Sequence, residues 1–274
     1  MGSERAADLR GTYQVDARNI VHGPALSGLD VIRCFGFDVL EPRPVRRRKI
    51  PGGTVKIVFA MEGTFAGRAM DPAALVIGLH DRAGTAEHVG RMRSVQVQLE
   101  PLAARRLLRV PLDEIRNTAV DLGELFGDSA RRFTELLAET ASWSRRFELV
   151  GDYLRNRSAQ AETNSAIVSA VRQLQISGGT TPLTDLVVES GWSRRHFRGR
   201  FTEQVGLSPK TYGSLMRFSG VFAALTVMPE IEIGALASDF GFYDQSHLCR
   251  DFQRFAGTTP GHLLGLANSS SAGS

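Results

Sequence analysis

With 274 residues, 42% of them hydrophobic and 23% charged, the chain has the make-up of an ordinary soluble protein of two domains. No apolar run approaches the ~18 residues that span a bilayer, and the first 25 residues lack a signal peptide's apolar core, which speaks against membrane insertion and export and predicts a cytoplasmic home. The net charge of +4 does not by itself argue for nucleic acid, because residues 1–157 hold 24 Lys and Arg against 20 Asp and Glu while residues 158–274 hold 9 of each.

In chain order, the runs "DVIRCFGFDV", "GTVKIVFAM", "AALVIGLHD" and "SVQVQLEP" are β-branched or alternating and are separated by Gly, Pro and Asp, which predicts a small antiparallel sheet or barrel. Between the first two, "RPVRRRKIPGG" concentrates positive charge, and Arg46, Arg47, Arg48 and Lys49 read as a solvated loop. The paired glycines of "IPGGTVKIVFAMEG" precede a strand with no helix after it, so a phosphate loop is not expected. His80, Glu87 and His88 have loose spacing for a metal site, and a third suitably placed histidine is missing. Cys34 and Cys249 lie too far apart for a zinc motif and are too few for a disulfide framework. No Ser/His/Asp or Cys/His set with motif support points to catalysis, so no enzyme and no cofactor are expected.

After Pro101 the period becomes helical. Phe133, Leu136, Thr140, Trp143, Phe147, Val150 and Leu154 recur every three or four residues as one stripe, which fits either a helix packed on its own barrel or a dimer seam. Residues 158–164 belong to a polar linker, and residues 266–274 read as a disordered tail. Ser193 is placed to cap one helix, Ser208-Pro209 opens a long one that runs to about Val227, Pro229 follows its end, and Pro260 begins the last.

The C-terminal part repeats itself. Leu183, Leu186, Gly191 and Trp192 match Ile233, Leu236, Gly241 and Phe242 at an offset of 50; Phe197, Phe201, Gly206 and Pro209 then match Leu248, Phe252, Gly257 and Pro260 at 51. Each copy reads as helix, glycine turn, helix, with Phe197 and Phe201, or Leu248 and Phe252, on the buried side of its second helix. The outward faces carry Arg194, Arg195, Arg198 and Gly199 in the first copy and Gln245, Ser246, Cys249 and Arg250 in the second. Arginine can give paired hydrogen bonds to guanine, and glutamine to adenine, in the major groove.

These two stretches, "LVVESGWSRRHFRGRFTEQVGLSPKTY" and "EIGALASDFGFYDQSHLCRDFQRFAGTTP", resemble the two signatures of AraC/XylS-type bacterial transcription regulators. The resemblance implies an α+β chain: a β-rich sensing or dimerising domain with helices at 1–157, like a cupin barrel, and an all-α domain at 165–265 with seven helices and two helix-turn-helix units. It implies that the eight outward residues named above bind DNA, and that the chain activates or represses transcription in the nucleoid. The implied partners are double-stranded promoter DNA, a small-molecule effector, RNA polymerase for an activator, and a second copy of the chain. At Gly199 the family commonly has a larger, often basic residue. Two alternatives remain at this stage: a cupin-type metalloenzyme with a helical accessory module, and a regulator whose first domain binds a protein partner through the stripe.

Overall fold

The computed structural model describes residues 20–26, 29, 31–65, 68–69, 73–157, 164–227 and 232–263. The strands are β1 (Ile20–His22), β2 (Val31–Lys49), β3 (Val55–Glu62), β4 (Thr64–Phe65), β5 (Arg68–Ala69), β6 (Ala73–Ile77), β7 (Gly84–Leu99) and β8 (Ala119–Asp121). Six of them form one antiparallel sheet in the order β1-β2-β7-β3-β6-β8, and β4 and β5 pair separately.

Both faces of the sheet are covered. On one, Val55, Ile57 and Phe59 of β3 and Val95, Val97 and Leu99 of β7 enter the main core. The alternate positions Ser94, Gln96 and Gln98 are just as buried, although polar. Ala86 packs with Phe35, Phe37 and Val39, yet the ladder sets Ala86 opposite Arg47 and Phe37 opposite Ser94. The long β2–β7 pair therefore bends over the second face and closes it. A register shift between Glu41 and Val45 marks the bend.

The basic run is not a loop. Arg46, Arg47, Arg48 and Lys49 pair with Glu87, Ala86, Thr85 and Gly84 in the ladder; Arg47 is buried and ion-paired to Glu41. Alternation along a strand puts successive arginines on opposite faces, so a run that reads as uniformly solvated contributes one side chain to the interior.

Helices α1 (Pro101–Leu108), α2 (Leu122–Phe126), α3 (Asp128–Glu139) and α4 (Trp143–Arg155) follow the strands. The stripe spans two helices, because Ser142 caps α4 by accepting from the Arg145 N–H. Phe133 stacks on Tyr153 at 3.9 Å between ring centroids and meets Phe59 of the sheet edge-on at 5.2 Å. Phe133, Phe147, Val150 and Leu154 are all buried. The stripe thus belongs to the domain's own core, which removes it as a dimer seam and as the handle for a protein partner; Leu136 alone of its large apolar members stays exposed.

The remaining helices are α5 (Ser165–Ile176), α6 (Leu183–Ser190), α7 (Arg194–Val205), α8 (Pro209–Val227), α9 (Ile233–Asp239) and α10 (Gln245–Ala256), with residues 260–263 helical again. Helix α8 spans the residues expected of it; Pro229, most of the linker and the tail lie outside the described residues. A polar linker predicts little burial between the two parts of the chain. The structure instead has one hydrophobic core running from the sheet through Leu107, Leu108 and Leu112 into Val205, Leu207 and Leu215.

Candidate nucleic-acid interface

Helices α6 and α7 form the first helix-turn-helix unit, α9 and α10 the second, and α8 joins them. Both turns are built alike. Gly191 and Gly241, with φ of 68° and 69°, occupy the left-handed region that only glycine enters cheaply. Each N–H bonds back to the preceding helix, Gly191 to Val188 O and Gly241 to Ser238 O, both at 3.1 Å. Ser193 then caps α7 through the His196 N–H, and Asp244 caps α10 through the His247 N–H. His196 stands edge-on to Trp192 at 4.7 Å, and His247 edge-on to Phe242 at 5.3 Å. Gly206 and Gly257 end the two helices in left-handed caps.

Packing decides which way the second helices face. Phe197, Phe201, Leu248, Phe252 and Phe255 are fully buried, and Phe218 of α8 lies 4.9 Å from Phe252 and 5.2 Å from Phe255 between ring centroids. The opposite faces are free for contact. Arg194, Arg195, Arg198, Gly199, Gln245, Ser246 and Arg250 are exposed, and Cys249 is half-buried. Nothing lies within 4 Å of where a Gly199 side chain would begin, so the first outward face has a gap flanked by Arg195, His196 and Arg200. Helix α8, with 19 residues, is ~28 Å long at 1.5 Å per residue, close to the ~34 Å repeat of a DNA turn.

The units differ inside. Asp251 of α10 sits where α7 has Arg200 in the repeat. Burial pushes the Asp251 carboxyl above the usual carboxylate range, against the pull of His247, Arg217 and Arg254. Burial likewise lowers the Arg217 guanidinium on α8, with Asp251 opposing; Arg217 also donates to Ser214 Oγ at 3.1 Å.

The first domain offers a separate feature. A cavity of about 50 Å³ is lined by Lys49, Lys56, His80, Arg82 and Gln96 among others. Burial, with repulsion from Lys49, pushes the Lys56 ammonium down to about 7. Burial also lowers Lys49, and lowers His80 despite the 2.9 Å contact of its Nδ1 with Gly78 O. Sequence reasoning missed this cluster, because its members come from three strands and a loop and lack a motif. His80 and His88 do not assemble a metal site with Glu87: Glu87 is exposed while its neighbour His88 is buried. Among the described residues no group of three His, Cys, Asp or Glu is placed to hold a metal ion, and no helix is long and apolar enough to cross a membrane.

Paired helix-turn-helix units with exposed cationic and amide faces on a buried aromatic frame define the class: a DNA-binding regulator. More narrowly, residues 186–265 match the model of a helix-turn-helix domain and are of the AraC type. Residues 23–121 match a domain family of unknown function, DUF6597. No curated protein matches the chain. Similar solved structures include ToxT from Vibrio cholerae at 11% identity and a TM-score of 0.46, covering 85% of this chain and 98% of that one. ToxT with an unsaturated fatty acid bound gives 12% and 0.46, over 85% and 95%. ToxT bound to (E)-4-(8-methylnaphthalen-1-yl)but-3-enoic acid gives 11% and 0.47, over 85% and 98%.

Proposed function

We propose that the chain is a sequence-specific transcription regulator whose domain at 165–265 reads two successive major grooves and whose domain at 1–157 responds to a small effector. The observation that carries the reading is the duplicated unit. Two helices of the same construction, capped alike, present Arg194, Arg195, Arg198 and Gly199 in one case and Gln245, Ser246, Cys249 and Arg250 in the other. Arg195, Arg198, Gln245 and Arg250 read base edges, and helix N-termini and neighbouring arginines hold phosphates. Regulation follows as activation, through contact with RNA polymerase, or as repression by occupancy of a promoter. The effector site is the cavity at Lys49, Lys56, His80 and Arg82, where the acidic group of a small molecule would meet Arg82 and draw protons onto the basic groups whose charge burial disfavours. No enzymatic step is assigned. The experiment is selection of duplexes from a random pool by the purified full chain: a preferred sequence with two conserved blocks about one helical turn apart supports the reading, and retention of all sequences alike sinks it.

A further inference from the structure

The two parts of the chain meet at matching places on the two reading helices. The last carbonyls of any helix lack partners inside it. In α7, Glu203 O accepts from the Leu112 N–H at 2.8 Å; in α10, Arg254 O accepts from the Ala83 N–H at 2.9 Å. Glu203 and Arg254 occupy the same position of the repeat, 51 residues apart. The side chains meet the first domain too, with opposite signs. Glu203 faces Arg105 at 3.6 Å, whereas Arg254 donates from Nε to Asp81 O at 2.9 Å and from Nη2 to Asp81 Oδ2 at 3.0 Å. The glycine that ends each helix abuts the same segments: a Cβ on Gly206 would lie 3.0 Å from Leu112 O, and one on Gly257 would lie 3.4 Å from the Ala83 Cβ.

The two gripping segments are tied to each other. The Asp81 N–H donates to Asn117 Oδ1 at 3.0 Å while Asn117 Nδ2 donates to Asp81 Oδ1 at 2.9 Å. The Asn117 N–H reaches Leu79 O at 2.9 Å, and the Gly78 N–H reaches Thr118 O at 3.2 Å. Gly78 has to be glycine here, since a Cβ would strike the Ile115 carbonyl. Burial resists ionisation of Asp81, but the bonds from Asn117 and Arg254 outweigh it and hold the carboxyl below its usual range.

We infer that the first domain is a two-point brace that fixes the placement of the reading helices relative to each other, with Asp81, Asn117 and Arg254 as positioning residues for recognition of half-site spacing. The inference rests on the DNA-binding reading above. Both grips are at helix C-termini, which leaves the N-terminal turns, where reading helices meet bases, uncovered. The linker helix α8 sets how far apart the units are; the brace sets how they are turned about it. A brace of this kind has no effect on one half-site alone and penalises a pair of half-sites whose spacing is wrong.

The test uses the full chain and the duplex obtained by selection, with two base pairs inserted between its two blocks. Wild type is expected to lose at least about tenfold in affinity on insertion, because the second block is rotated away from its reader by the twist of 10–10.5 base pairs per turn. Asp81→Ala and Arg254→Ala, which remove the side-chain part of the α10 grip and leave the Ala83 N–H to Arg254 O bond, are expected to lose at most about threefold on insertion while binding a single block as wild type does. Arg254 is 42% exposed at its side chain, so its truncation leaves the fold intact. Equal spacing penalties in wild type and in folded Arg254→Ala overturn the brace. A wild type that binds no duplex overturns the DNA reading itself, and the brace with it.

Discussion

The first and second helix-turn-helix units share a frame and differ in what they show. Turn glycine, N-cap oxygen, edge-on histidine, two buried apolar residues and a left-handed C-cap recur at matched positions, because each solves a geometrical problem that the motif poses wherever it stands. The outward residues have no such constraint. Arginines crowd the first face and a glutamine, a serine, a cysteine and an arginine make up the second. Repetition therefore marks what holds the motif, and divergence marks what the motif is for.

Four experiments break or sharpen this contrast. The largest effect is expected in the shared frame: Phe201→Ala and Phe252→Ala each delete a fully buried ring and should cost ~3–5 kcal/mol, seen as similar drops in the denaturant midpoint. Unequal losses would show that the two frames are not equivalent. Next come the divergent faces. Arg198→Ala and Arg250→Ala should leave stability alone, cost ~1–3 kcal/mol of binding each, and relax preference at different base pairs about one turn apart. A uniform loss over all sequences, with a shallower salt dependence, would reassign either residue to phosphate contact.

A third experiment concerns the gap in the first face. Gly199→Ala meets no neighbour within 4 Å and replaces the poorest helix former short of proline, so α7 should gain ~1 kcal/mol and the thermal midpoint should rise; a fall would mean that the glycine is needed for backbone geometry. The smallest effect separates the interiors. Asp251 has its folded pKa raised by burial, so the folded state binds the proton more tightly than the unfolded one, and stability falls as pH rises through the unfolded and then the folded value. Amide protection factors in α10 should fall as pH rises from the usual carboxylate value, with α7, which has Arg200 at that place, showing no such fall. Asp251→Asn should remove the difference.

The duplicated motif was legible because its evidence is local. A glycine, a cap and an apolar pair at fixed offsets specify helix, turn and helix with no help from elsewhere, and a second copy removes coincidence. The first domain was legible only as alternation. Strands near Phe37, Phe59 and Val97 declared themselves, but the path of β2 through Arg46–Lys49 depended on a partner strand some forty residues on, and alternation cannot announce a buried arginine in a basic run. The stripe from Phe133 to Leu154 showed an apolar face without showing its cover, since the same period serves a core and a dimer. Least legible were the contacts of Leu112 and Ala83. They use backbone N–H groups, which every residue but proline has, to reach the distant carbonyls of Glu203 and Arg254.

The segment 78–83 has a further consequence. Gly78, His80 and Arg82 line the cavity, while Asp81 and Ala83, alternating with them, hold the end of α10. One stretch of backbone is thus shared by a pocket and a reading helix, so an anion that favours one setting of this stretch changes how the helix is held. Coupling between two binding events is reciprocal. Under the proposed function, whatever factor a bound anion imposed on affinity for DNA, DNA would impose on affinity for the anion, and the promoter would act as an allosteric ligand of the pocket.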